Sequence, residues 1–231
     1  MMVSSHAWDL SPQEAFAQQN ELASQVEREP RLGPVCRVAG VDVSVRDDVS
    51  RAAVVVLDFE GMTPLDYAIA TRPVTFPYIP GLLAFREGPV VLDVLEQLGT
   101  TPDLLIFDGQ GLAHPRRLGI ASHIGLLVDM PAVGCAKSRL CGRHDEPGQE
   151  PGRHAPLLDR GEVVGAVLRT RQGVKPVYVS IGHRVDLETS IKYVLACCRG
   201  YRLPETTRWA HRVAGGEVPP IQARQPTLFD L

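Results

Sequence analysis

A chain of 231 residues, 44% of them hydrophobic, is long enough for one sizeable core and ordinary in composition for a globular fold. Its 24 basic and 27 acidic residues leave a formal net charge of −3, so any grip on a polyanion must come from a local patch. No apolar run approaches the roughly 20 residues of a membrane span, and residues 1–9 lack the basic and apolar segments of a secretory signal. A cytoplasmic protein with no membrane association is the expectation.

The first element is a helix. Ser11-Pro12-Gln13-Glu14 reads as a capping box with Pro at the first helical position, and Ala15, Leu22, Ala23 and Val26 mark an apolar stripe that carries the helix to residue 29. Residues 30–34 are a linker. Three strands follow over 37–45, 51–59 and 65–71, joined by turns at Asp47-Asp48 and Glu60-Gly61, and turns this short imply an antiparallel meander. After a Pro-rich interruption at 73–80, Pro89 opens a helix over 90–98.

Residues 104–108 form an apolar run of buried-strand length that ends in Asp108-Gly109-Gln110-Gly111. A helix over 118–127 and a strand over 132–136 come next, then a polar Gly- and Pro-rich loop over 142–154. Strands at 163–169 and 177–180 and helices at 187–197 and 205–213 complete the core, with an extended tail from 215. This order predicts an α/β fold in one domain, a mixed sheet with crossover helices. The five cysteines, at 36, 135, 141, 197 and 198, are odd in number and irregular in spacing, which argues against a disulfide framework.

The chemistry gathers around two carboxylates. Asp108 ends the most apolar strand at a glycine turn, where ligands collect in open α/β sheets. Asp42, between Val41 and Val43, is costly in mid-strand unless it meets a metal or a partner; otherwise it points to solvent. Glu87 stands before Gly88-Pro89, where it either joins these acids or offsets a helix dipole. His114 could contact phosphate or assist proton transfer, or be a loop histidine without a role. Lys137, closing a strand, could stabilise charge in a transition state or be solvated. Arg116, Arg117, Lys137, Arg139 and Arg143 are the candidate basic patch. Metal-assisted phosphodiester hydrolysis needs a few carboxylates from different elements and an oxygen-preferring ion.

In consistent order, Val41-Asp42-Val43-Ser44, Pro77-Tyr78-Ile79-Pro80-Gly81, Phe85-Arg86-Glu87, Asp108-Gly109-Gln110-Gly111, His114-Pro115-Arg116 and Gly134-Cys135-Ala136-Lys137 resemble endonuclease V. This is the deoxyinosine-specific repair nuclease family of the RNase H-like superfamily. The resemblance implies an RNase H-like mixed sheet with antiparallel first three strands, in a nuclease domain over 1–214 that acts as a monomer. It implies Mg²⁺ held by Asp42 and Asp108, with Glu87, Lys137, His114 and the late histidine His211 completing the catalytic set. Pro77, Tyr78, Ile79 and Pro80 look like the family's wedge, whose Tyr replaces the stacking of a displaced base. Gly81, Gly109 and Gly111 lack side chains and would let backbone approach the flipped nucleotide.

The implied reaction is a nick at the second phosphodiester bond 3′ to deoxyinosine in damaged DNA, leaving 3′-hydroxyl and 5′-phosphate ends. Inosine-containing RNA is an alternative substrate, and a non-catalytic nucleic-acid-binding module is the alternative from another class. The tail, with Gln225, Leu228 and Phe229, resembles the peptides by which bacterial repair proteins bind the sliding clamp.

Overall fold

A computed structural model of the chain describes residues 6–221; the tail residues Gln225, Leu228 and Phe229 lie outside them. Helix α1 (Pro12–Ala23) starts with the expected capping box: the Ser11 hydroxyl accepts from the Glu14 N–H, and the Glu14 carboxylate accepts from the Ser11 N–H. It stops six residues short of the expected end at 29. The chain beyond it is used otherwise: the Glu27 N–H donates to His183 Nδ1 at 3.2 Å and the Glu27 carbonyl accepts from the Arg184 N–H at 2.8 Å.

Strands β1 (Arg37–Arg46), β2 (Val49–Asp58) and β3 (Pro64–Pro73) form the predicted antiparallel meander. Strand β4 (Leu104–Phe107) lies parallel to β1, and β5 (Ala132–Ala136) parallel to β4. A second meander, β6 (His154–Asp159), β7 (Glu162–Leu168) and β8 (Val177–His183), joins through β8 antiparallel to β5. The order β3-β2-β1-β4-β5-β8-β7-β6 is an RNase H-like mixed sheet extended to eight strands. Strand β6 has no counterpart in the sequence reading, because Pro156 sits inside it. As the sheet's edge it tolerates a proline, and Ala155 and Leu157 alternate inward.

Two apolar layers sandwich the sheet. On one side α2 (Leu83–Glu96) and α3 (Ile120–Val128) bury Val90, Val91, Val94, Ile124 and Leu127 against Val41, Leu105 and Phe107. On the other, α4 (Leu187–Ala196) and α5 (Glu205–Ala214) set Ile191, Val194 and Val213 against Val38, Leu104 and Ile106. Among the described residues no helix is long and apolar enough to cross a membrane.

Helix α2 corrects the sequence reading. It begins at Leu83, so Pro89 lies inside the helix and not in its first turn, and Glu87 stands on the helix and not at its start. An interior proline costs about 3 kcal/mol by removing one backbone bond and crowding the preceding turn. Burial of Phe85, Val90, Val91 and Val94 on either side offsets that cost.

Helix α5 lies unusually close to β1. A Cβ added at Gly40 would sit 1.9 Å from the Thr206 carbonyl oxygen, so only glycine admits this approach. Thr206 and Thr207 are wholly buried there. Gly40→Ala should therefore push α5 off the sheet and destabilise the protein by about 1–3 kcal/mol or more, as overpacking does. At roughly 2–4 °C per kcal/mol for a chain of this size, thermal unfolding should show a melting temperature lowered by several degrees. An unchanged value would contradict the close packing.

Candidate active site

The parallel pairing of β1 and β4 sets Val41 beside Phe107, and the Asp108 N–H donates to the Val41 carbonyl at 3.0 Å. Asp42 comes next on β1 and Asp108 is one residue past β4, so the register brings two carboxylates together. Asp42 is 9% exposed. From α5, beyond the Gly40 contact, His211 Nδ1 lies 2.8 Å from Asp42 Oδ2, and its ring is otherwise largely exposed. With Asp42 ionised, Nδ1 donates, and in the neutral ring Nε2 is then the free acceptor. Lys137, one residue past β5, pairs its ammonium with Asp108 Oδ2.

Glu87 reaches the same place from α2. Burial, then the charge of Asp42 and that of Asp108, push its carboxyl up to about 8 against the pull of Arg86. Asp42 is likewise raised, by burial and then by Asp108, with the His211 hydrogen bond and Lys137 opposing. Two acids, Asp42 and Glu87, that resist ionising beside a third carboxylate mark a site short of positive charge. Among the described residues no group of three or more His, Cys, Asp and Glu closes into a metal cage. An all-oxygen set of a few carboxylates suits a hard ion that keeps waters among its ligands.

Beside the acids lies a cavity of about 330 Å³. Its lining includes Tyr78, Ile79, Pro80 and Gly81, Asp108 and Gly109, and Lys137 and Arg139. Tyr78 is 69% exposed at the rim. Pro77 and Gly111 do not line the cavity. Gly111 is committed to the fold instead: its N–H donates to Ser180 Oγ at 2.9 Å, and a Cβ there would meet the Ile181 carbonyl oxygen at 2.0 Å.

The loop 77–81 is held at its last residue. Gly81, at φ +83°, turns its carbonyl to three donors: Gln19 Nε2 at 3.0 Å, Arg116 Nη2 at 2.8 Å and His114 Nε2 at 3.0 Å. His114 Nδ1 accepts from the Arg116 N–H at 3.1 Å, which fixes the neutral Nε2–H tautomer. Burial, then Arg116, push its pKa down to about 4. The geometry thus places His114 under the loop, with both ring nitrogens engaged. Gln19, 1% exposed, also donates to the Leu118 carbonyl and accepts from Arg116 Nε at 2.6 Å. The sequence reading missed it, although a polar residue four places after Ala15 and three before Leu22, inside the apolar stripe of α1, is the signal that marks it.

The expected basic patch is smaller than its sequence suggests. Arg117 is taken by Asp159 and Glu162, and Arg116 by the loop clamp. Two other histidines are buried in the framework: His183 accepts from the Glu27 N–H, and His123 Nε2 lies 2.6 Å from His6 Nε2.

A sequence model described as endonuclease V matches residues 20–212. An endonuclease V of Roseiflexus sp. (strain RS-1) is 56% identical over 213 residues, 92% of this chain and 96% of that protein. The crystal structure of the Streptomyces avermitilis endonuclease V superposes with a TM-score of 0.86 at 46% identity, covering 90% of this chain and 93% of that one. Ciona intestinalis endonuclease V, in complex with a 23mer DNA containing an inosine followed by a ribo-adenosine, superposes with a TM-score of 0.79 at 27% identity, covering 89% and 97%.

The raised carboxyl of Glu87 has a measurable sign. Its ordinary value is 4.5 and its folded value about 8, so between these the folded protein holds a proton that the unfolded chain has lost. Stability in the absence of divalent ions should therefore fall as pH rises from about 4.5 to about 8. In chelator-treated protein, Glu87→Gln should flatten that slope and raise the urea midpoint above wild type at pH 8, with little difference at pH 4.5. A wild-type slope in the variant would show that Glu87 ionises freely.

Proposed function

The chain belongs to the endonuclease V family, nucleases that hydrolyse phosphodiester bonds, and from that premise we propose that it is a Mg²⁺-dependent repair endonuclease that nicks DNA at the second phosphodiester bond 3′ to a deoxyinosine. The observation that carries this reading is the convergence of Asp42, Asp108 and Glu87 from β1, β4 and α2 beside a cavity whose rim presents an exposed Tyr78. The Ciona intestinalis protein's inosine-containing complex supports inosine as the base this cavity takes.

Asp42 and Asp108 would hold the ion, with Glu87 as a further acidic member. When bound, Mg²⁺ supplies Lewis-acid stabilisation of charge on the phosphoryl oxygens. The chain's own groups do the rest. Lys137, paired with Asp108, sets a positive charge in the lining of the cavity and stabilises the negative charge that builds up on the phosphate. His211, its Nδ1 anchored on Asp42, turns an unoccupied Nε2 towards solvent, where it can take or return a proton. His114 acts as a positioning residue, holding the Gly81 carbonyl and with it the end of the wedge loop. Tyr78, between Pro77 and Ile79-Pro80 on a stiff loop, takes up the stacking that the displaced base leaves.

A second reading, cleavage of inosine-containing RNA, draws support from the ribo-adenosine that follows the inosine in the Ciona complex. A 2′-hydroxyl read at that position would favour RNA.

Wild-type protein with Mg²⁺ should nick inosine-containing duplex DNA and leave 3′-hydroxyl and 5′-phosphate ends; matched RNA strands in the same assay rank the two sugars. Cleavage of neither would sink the reading. Stacking on an aromatic ring is worth about 1–3 kcal/mol per base. Tyr78→Ala should therefore weaken binding to inosine DNA roughly 5- to 150-fold and spare undamaged DNA. Equal losses on both would refute the wedge role.

A further inference from the structure

Beyond Lys137, on the side away from the Tyr78 cavity, lies a second and larger groove of about 570 Å³ that the proposed reaction does not use. Its lining comes from the loop over 144–153 and the turn over 170–176. Lys137, Ser138 and Arg139 line both hollows, so the groove continues the active site without a break.

Its charge is out of keeping with the chain. On a protein of net charge −3, the groove gathers Lys137, Arg139, Arg169, Lys175 and Arg202 against Glu146 alone among carboxylates. Lys137 is paired with Asp108 and Arg169 with Glu146. Arg139, Lys175 and Arg202 make no ion pair among the described residues. Arg202 spends its donors on backbone carbonyls: Lys137 at 2.6 Å, Pro176 and Lys175 at 2.9 Å each. Those bonds fix the groove's shape and leave the guanidinium charge uncompensated.

The walls are also built. Arg169, 3% exposed, bonds the carbonyls of Gly148 and Val174 and the carboxylate of Glu146, which ties the loop to the turn opposite. Within the lining, the rings of His144 and Tyr178 meet edge to face at 5.6 Å, the kind of aromatic surface on which a base can rest. Uncompensated cations along a groove with an aromatic pair in its lining match a single nucleic-acid strand, with phosphates on the cations and a base on the rings.

We propose that this groove binds the segment of the substrate strand 3′ to the cut. The direction rests on the proposed function: with the inosine in the Tyr78 cavity and the cut 3′ to it, the strand passes the acids and Lys137 before it reaches the groove.

The test is fluorescence anisotropy with a ten-nucleotide single-stranded DNA that bears a 5′-phosphate and no inosine. Lys175→Glu should weaken its binding about ten-fold and Lys175→Arg should restore it. Loss of one phosphate contact in Lys175→Ala should reduce the slope of log affinity against log salt by about 0.7. Wild-type affinity in Lys175→Glu overturns the proposal. For inosine strands extended on one side only, Lys175→Glu should raise KM on the 3′-extended strand alone; a rise on the 5′-extended strand overturns the direction. If Lys175 governs strand affinity while wild type cleaves no inosine substrate, the groove stands and the inosine reading falls.

Discussion

What bears on function in this molecule depends on one electrostatic constraint: three carboxylates share a place where burial and mutual repulsion hold Asp42 and Glu87 back from ionising. Asp42 and Asp108 arrive there by strand register, and Glu87 from the opposite helical layer. A fold does not keep such a cluster for stability, because like charges in a half-buried site repel and lose hydration. Lys137 and His211 relieve part of the strain, one from the end of β5 and one from α5. The remaining deficit of positive charge is what a divalent ion would fill.

The rest of the architecture follows from keeping those groups in place. The parallel β1–β4 pair sets the two aspartates, and the glycine at position 40 lets α5 come close enough for His211 to reach Asp42. A separate polar knot of Gln19, His114 and Arg116 on the Gly81 carbonyl holds the loop that presents Tyr78. On the proposed function, chemistry and base handling would be supported by different contacts. Changes to the knot should act on substrate binding before they act on bond cleavage.

Much of this was legible in the sequence, for reasons that can be named. Asp108 stood out because an apolar run of strand length ended on a charge, and the meander because its turns were too short for crossovers. The ionic contacts of Asp42 and Lys137 were not legible, since pairing across 169 and 29 positions leaves no local trace. Proline misled twice: inside α2, where tertiary burial outweighed its cost, and in β6, where an edge position made it harmless. The basic patch misled differently. Arg117 looked free in the sequence and is spent on Asp159 and Glu162, whereas Lys175 and Arg202, far apart along the chain, meet in one groove.

The central claim is that Asp42 and Asp108 work as one unit. Single-turnover cleavage of inosine-containing DNA by Asp42→Asn, Asp108→Asn and the double variant tests it most directly. Residues that act as a unit are strongly non-additive. Each single variant should lose at least about 1,000-fold in rate, and the double variant should be no more than about 10-fold worse than either. Losses that multiply, or a single variant that cleaves near the wild-type rate, would contradict the account.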